Sequence, residues 1–189
     1  MKKLILCLPV ALMALAGSAQ ANEQVNALVT QIALAQVSPI TNVINWQLGD
    51  YCDMNMTMSG IPLGTIHKEA MSEEGNAVWL KQAMSGGMIG NQTVEVLIDR
   101  ATGKTLKMKQ NGQEKPVPDD KIEIIDQETA TITVPAGTFE TIHIRAKSQQ
   151  GPLELWANPQ AIKLDGAAKM TMETQGMSIA MELTKFGGK

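Results

Sequence analysis

Residues 168–185 read AKMTMETQGMSIAMELTK, and this stretch decides the fold class. Side chains in a strand alternate between two faces, so one face of each half would be apolar and the other polar. The two halves meet at Gln175-Gly176, where glycine can supply the positive φ of a tight turn. The stretch therefore predicts a β-hairpin. Its apolar positions are Met170, Met172, Met177, Ile179, Met181 and Leu183.

Methionine takes the place of the usual branched residues in a second stretch as well. Residues 50–59 read DYCDMNMTMS, which places Cys52, Met54, Met56 and Met58 on one face of a strand. Strict alternation of this kind is typical of a half-buried strand. We expect the two methionine faces to adjoin if the sheet curls, forming one soft apolar surface.

The rest of the chain predicts an all-β fold. Short alternating runs separated by Gly, Pro and Asn turns give about ten strands at even spacing, which is typical of an antiparallel curved sheet or half-open barrel. In detail, residues 60–64 are expected to interrupt the strands, residues 122–125 and 129–134 to form two short strands, and residues 160–164 to be extended. Residues 22–37 predict one N-terminal helix packed across the sheet, because apolar residues recur there at helical spacing.

The start of the chain predicts export. Met1-Lys2-Lys3 precedes an apolar segment and the Ala19-Gln20-Ala21 site, as in a bacterial secretory signal peptide. We expect residues 1–21 to be removed by cleavage after Ala21, leaving residues 22–189 as a single β-rich domain in the periplasm. No later stretch is apolar enough to be a transmembrane segment.

Charge and composition argue against several function classes. The chain has a formal net charge of −3, and loss of the two signal-peptide lysines would make it more acidic. A chain without a basic patch is not expected to bind nucleic acid. His67 and His143 alternate with polar neighbours and are expected to be solvated, and no serine elbow or zinc-protease motif accompanies them. We therefore expect a protein that is not an enzyme and that needs no cofactor.

The methionines also raise a copper hypothesis. Thioethers are soft ligands that suit Cu(I), and Cys52 or His67 could join Met54 and Met56. Strand alternation explains the same spacing without a metal, so no metal site is predicted. Cys52 is most simply a buried small residue, with an intermolecular disulfide or a metal ligand as the alternatives.

Two further segments carry a family resemblance. Val134-Pro135-Ala136-Gly137-Thr138-Phe139 runs into Ile142-His143-Ile144, and Leu155-Trp156-Ala157-Asn158-Pro159 is followed by Ile162-Lys163-Leu164. This pattern, over the C-terminal third, resembles the TapB-like group of bacterial envelope proteins. Gln160-Ala161-Ile162 departs from the Gly-x-Val common in that group. Such proteins are similar in expected architecture to the LolA-like half-open barrels, which hold lipid on a concave face under a helix. The resemblance implies a fold and a ligand class, and no catalytic residue.

The function predicted from these observations is non-catalytic binding of an apolar small molecule or lipid, such as an acyl chain, on a concave methionine face. The predicted ligand-binding residues are Met54, Met56, Met58, Met170, Met172, Met177, Ile179 and Met181. Two alternatives stay open: a Cu(I)-binding envelope protein, and an interaction module for an envelope protein partner.

Overall fold

The structure, a computed structural model, describes residues 46–87, 89–118, 122–148, 151–174 and 176–188. These residues form eleven antiparallel strands, which confirms the predicted all-β class. The predicted signal peptide and the predicted helix at residues 22–37 lie outside the described residues. The strands are β1 (Tyr51–Met58), β2 (Ile61–Glu74), β3 (Ala77–Gly86), β4 (Gly90–Asp99), β5 (Thr105–Gln110), β6 (Gln113–Lys115), β7 (Glu123–Val134), β8 (Gly137–Ser148), β9 (Gly151–Ala157), β10 (Ala167–Thr174) and β11 (Met177–Gly187).

All eleven strands belong to one sheet in the order β6-β5-β4-β3-β2-β1-β11-β10-β9-β8-β7. The first and last strands therefore pair in the middle of the sheet, and β6 and β7 form its two edges. The sheet is strongly curled, because β7 touches β10 and β11 although two and three strands separate them in the order. The amide of Ala136, in the turn after β7, donates to the carbonyl oxygen of Leu183 in β11 at 3.0 Å. The predicted curved, unclosed sheet is confirmed.

The terminal hairpin forms as the sequence predicts. In β10 and β11, Met172 pairs with Ile179 and Thr174 pairs with Met177 across the turn. Gly176 adopts a φ of 77°, the left-handed conformation that glycine tolerates without steric cost. The alternation therefore places the methionines of both strands on the same face.

The predicted interruption at residues 60–64 is wrong, because β2 begins at Ile61 and runs through it. Gly64 makes this possible. A side chain there would collide with the backbone of Ser85 and Gly86, and one at Gly86 would collide with Leu63 and Gly64. Glycine on both strands lets their backbones approach closely, a feature of tight bends in curled sheets.

Two other predicted details are wrong. Residues 123–134 form one long strand, β7, because a bulge between Ile124 and Asp126 shifts the alternation by one residue without ending the strand. Residues 160–164 are not extended. They belong to a compact loop, in which the side chain of Asn158 accepts hydrogen bonds from the amides of Gln160 and Ala161.

The Gly64–Gly86 contact yields a stability prediction. Gly86→Ala should destabilise the fold by about 1–3 kcal/mol, the usual cost of forcing an extra carbon into a packed contact. Gly87→Ala is the matched control, because a side chain on that neighbouring glycine meets no atom within 4 Å. Urea denaturation followed by circular dichroism measures both variants. Equal stability of the two variants would contradict the account of this bend.

Candidate functional site

The predicted methionine strands are direct neighbours in the sheet. We call the face that carries Met54 and Met56 the inner face. Met56 of β1 pairs with Met181 of β11, which pairs in turn with Met170 of β10. The next row toward the strand ends is Met58, Ile179, Met172 and Leu153. Paired side chains on adjacent strands have Cβ atoms about 5 Å apart, so each row is a continuous apolar stripe.

The structure places the predicted ligand-binding residues at two levels of burial. Six are buried in the core, each with no more than 8% of its surface exposed: Met54, Met56, Met170, Met172, Ile179 and Met181. Met58 is half-buried and packs against that core. Met177 is 37% exposed, because it lies at the end of the strand beside the turn. The set is therefore one connected surface that runs from the core to the exterior.

Two adjacent turns form an exposed apolar rim where that surface ends. The amide of Ser59, between β1 and β2, donates to the carbonyl oxygen of Ser178 in β11 at 2.7 Å, which holds the two hairpin ends together. Ile61 is 63% exposed and pairs with Met58 in the first of these turns, and the exposed Met177 precedes Ser178 in the second. We call Met58, Ile61 and Met177 the rim.

The opposite end of the inner face carries a buried ion pair. Lys68 of β2 lies opposite Cys52, and its ammonium contacts both carboxylate oxygens of Asp165, at 2.6 and 2.9 Å. Neither side chain is more than 3% exposed. Sequence reasoning missed this pair. The available signal was a lysine at an inward position of an alternating run, between Ile66 and Ala70.

Asp165 belongs to a loop of residues 158–166 that covers this end of the sheet. The loop is closed on itself, because the amide of Asn158 donates to the carbonyl oxygen of Gly166 at 2.9 Å. Its Ile162 and Leu164 side chains are buried in the same core cluster as the methionines. Loops whose ends meet in this way behave as compact units. We call residues 158–166 the plug loop.

The plug loop combines a strong anchor with local strain. Removing one partner of a buried ion pair costs about 3–5 kcal/mol, because the other charge remains without compensation. Against this, Leu164 has a φ of 58°, a conformation that costs a residue other than glycine roughly 1–3 kcal/mol. The loop is thus anchored by the Lys68–Asp165 pair, by the ion pair of Lys163 with Asp50 at 3.2 Å and by its two buried apolar side chains, although its backbone is strained at Leu164.

Cys52 lies beneath the plug loop and is fully buried, as the simplest prediction required. Its thiol donates to the carbonyl oxygen of Lys163 at 3.3 Å. Burial raises the pKa of the Cys52 thiol to about 12, against the opposing effect of the nearby Lys68. The thiolate is the form that attacks electrophiles and binds metals, so this thiol is inert near neutral pH. An intermolecular disulfide is incompatible with its burial in this fold.

The structure excludes His67 as a ligand of the copper site considered above. His67 lies on the outer face, opposite Asp53, with its Nδ1 atom 2.6 Å from a carboxylate oxygen of that residue. Cys52, Met54 and Met56 point to the inner face, so His67 cannot join them. Within the described ranges, no three His, Cys, Asp or Glu side chains are grouped in a way that could hold a metal ion.

The prediction that both histidines are solvated holds for His67 but is wrong for His143. His143 is 8% exposed, because the ring of Trp156 on the next strand stacks on it at 4.1 Å. Its two ring nitrogens face Glu154 at 2.8 Å and Glu128 at 3.3 Å. The aromatic neighbour on the next strand accounts for the burial of His143. Alternation along one strand does not reveal such a neighbour.

A cavity of about 430 Å³ opens between strands β1 to β4. Polar residues, among them Asp53, His67 and Asn91, line it together with the apolar residues Met54, Ile66 and Met84. Met54 is the one predicted ligand-binding residue in this lining, so the cavity does not coincide with the methionine surface as a whole.

No helix in the described part of the chain is long and apolar enough to cross a membrane.

Comparisons with known proteins show a likeness of fold. No protein-family model and no curated protein matches the sequence. A Bacteroides fragilis protein, described as exported and as having a YmcC-like fold, superposes with a TM-score of 0.52 at 12% identity. The match covers 77% of this chain and 98% of that protein. A hypothetical protein from Chlamydia trachomatis gives a TM-score of 0.51 at 8% identity, over 76% and 89% of the two chains.

MucB gives a TM-score of 0.42 at 13% identity, over 91% of this chain and 60% of MucB. That score is too low to carry an argument. The two higher-scoring neighbours show that this curled sheet occurs in other bacterial proteins, one of them described as exported. The resemblance to the TapB-like group stays a prediction.

The burial of Cys52 predicts its reactivity. In the folded protein at pH 8, Cys52 should react with a thiol reagent such as 5,5′-dithiobis(2-nitrobenzoate) at least about 100-fold more slowly than an exposed cysteine, because it is buried and protonated. Asn55→Cys supplies the matched control, since that position lies on the exposed face of the same strand. Guanidinium should abolish the difference. Rapid labelling of native Cys52 would contradict its placement.

Proposed function

We propose that this protein is a non-catalytic periplasmic protein that binds an apolar ligand, a lipid or an acyl chain, on its inner face. One observation carries the proposal: methionines of three neighbouring strands form adjacent cross-strand rows, and the surface they build ends at an exposed apolar rim. A sheet core requires apolar residues at these positions but does not require methionine. An adaptable binding surface favours methionine over branched apolar residues.

Methionine suits this role because its side chain is unbranched, flexible and polarizable, and therefore adapts to irregular partners. Methionine-rich surfaces recur at sites that accept ligands of varied shape. The inner methionines are buried in the structure, so a ligand must displace the groups that cover them. Burial of the ligand's apolar area would stabilise the complex by roughly 25 cal/mol per Å².

The proposed location rests on the predicted signal peptide and on the resemblance to envelope proteins. The Bacteroides fragilis protein of like fold is described as exported, which is consistent with that location. An envelope protein partner, the third predicted class, stays a prediction.

A substitution at the rim tests ligand binding while sparing the core. Met177→Asp should weaken the binding of the neutral apolar probe N-phenyl-1-naphthylamine about tenfold, corresponding to roughly 1.4 kcal/mol, because it places a carboxylate at the edge of the ligand. Met71→Asp is the matched control, since Met71 is similarly exposed, at 44%, and lies away from the rim. Probe fluorescence titration gives both affinities.

Native mass spectrometry of protein purified from the cell envelope provides a second test of ligand binding. We expect it to detect a co-purified lipid or fatty acid. It would be abandoned if no lipid co-purifies and the delipidated wild-type protein takes up no probe.

A second candidate, Cu(I) binding, is favoured by the in-register row of Met56, Met181 and Met170, which brings three thioethers together on adjacent strands. Anaerobic Cu(I) titration tests it. Met181→Leu should lower Cu(I) affinity by at least tenfold if this row is the site, whereas Met71→Leu should not. Equal affinities for the two variants would exclude the row.

A further inference from the structure

We infer that the ligand of the inner face is a long-chain carboxylate, such as a fatty acid, whose headgroup binds Lys68 in place of Asp165. This inference rests on the proposed function and adds the chemistry of the headgroup to it. It requires no covalent step, because one carboxylate replaces another on the same ammonium group. The plug loop is then an internal competitor of the ligand.

The position of Lys68 matches one end of an amphiphile. Lys68 lies opposite Cys52, at one end of the methionine surface, and the rim lies at the other end. The six residue steps from Cys52 to Met58 in an extended strand span about 20 Å, comparable to a common long acyl chain. A carboxylate at Lys68 would therefore place the chain parallel to β1, across the methionine rows, with its terminal methyl at the rim.

The plug loop already has the chemistry of such a ligand. Asp165 presents a carboxylate to Lys68 through both oxygens, and the neighbouring Ile162 and Leu164 insert apolar side chains into the core. A buried lysine needs an anionic partner, so an incoming ligand must bring its own anion to replace this one. A neutral lipid could displace the apolar side chains but would leave Lys68 without a counter-charge.

The backbone of the loop favours displacement as a unit. Asn158 and Gly166 close it by a hydrogen bond, so it can leave the sheet without breaking the strands that flank it. The left-handed conformation of Leu164 is relieved when the loop moves. Cys52, which donates only to the carbonyl oxygen of Lys163 above it, offers no covalent tie to the loop.

The test compares palmitate with hexadecan-1-ol, which has the same chain length but no charge, by displacement of N-phenyl-1-naphthylamine from the delipidated full-length protein. Wild type should bind palmitate at least about tenfold more tightly than the alcohol, the difference that a hydrogen bond to a charged group supplies. Lys68→Met combined with Asp165→Leu replaces the pair by apolar residues and should bind both ligands with equal affinity. Asp165→Asn removes the competitor and should tighten palmitate binding several-fold.

Lys147→Met is the matched control, because Lys147 is an exposed lysine on the outer face of β8. It should keep the wild-type preference for palmitate. Thermal denaturation by circular dichroism shows whether each variant is folded. If Asp165→Asn does not fold, the double variant still tests the role of Lys68.

The outcomes distinguish a failure of this inference from a failure of the proposed function on which it rests. If wild type binds neither ligand, the proposed function fails. If wild type binds both equally, or if the preference survives in the double variant, the inner face binds apolar chains but Lys68 is not the headgroup site. An unchanged or weaker affinity of folded Asp165→Asn for palmitate would show that Asp165 does not compete.

Discussion

The pairing of β1 with β11 sets the layout of the whole sheet. The two strands are far apart in the chain, yet they lie side by side at the centre of the sheet, with Met56 opposite Met181. Because the register of a strand fixes which side chains face the core, this single pairing joins two methionine patterns into one surface. It also splits the remaining strands into two wings, one leading to each edge.

The two ends of this surface differ in chemistry. At one end, Lys68 and Asp165 form an ion pair that is almost entirely shielded from water, and the plug loop covers them. At the other end, the rim exposes Ile61 and Met177. A core whose only task was stability would gain little from a buried charge pair, which apolar residues of similar volume usually replace without loss. This asymmetry suits a surface that binds an amphiphile in one orientation.

The sequence allowed prediction of the features that depend on neighbouring residues. The hairpin of β10 and β11 and the alternation of Met54 and Met56 follow from local geometry, and both are confirmed. Features set by distant strands were not accessible. The ring that covers His143 comes from Trp156 on the next strand, and the partner of Lys68 lies 97 residues away. Bulges such as that at Ile124 also interrupt the period on which strand prediction relies.

Methionine-methyl NMR of the [methyl-¹³C]methionine-labelled protein, titrated with palmitate, reports directly on ligand binding at the inner face, because each methionine gives its own signal. We expect the signals of Met54, Met56, Met170, Met172 and Met181 to shift together on binding, while that of exposed Met71 stays in place. A titration in which palmitate binds but the inner signals remain unchanged would contradict the claim that the inner face is the ligand site.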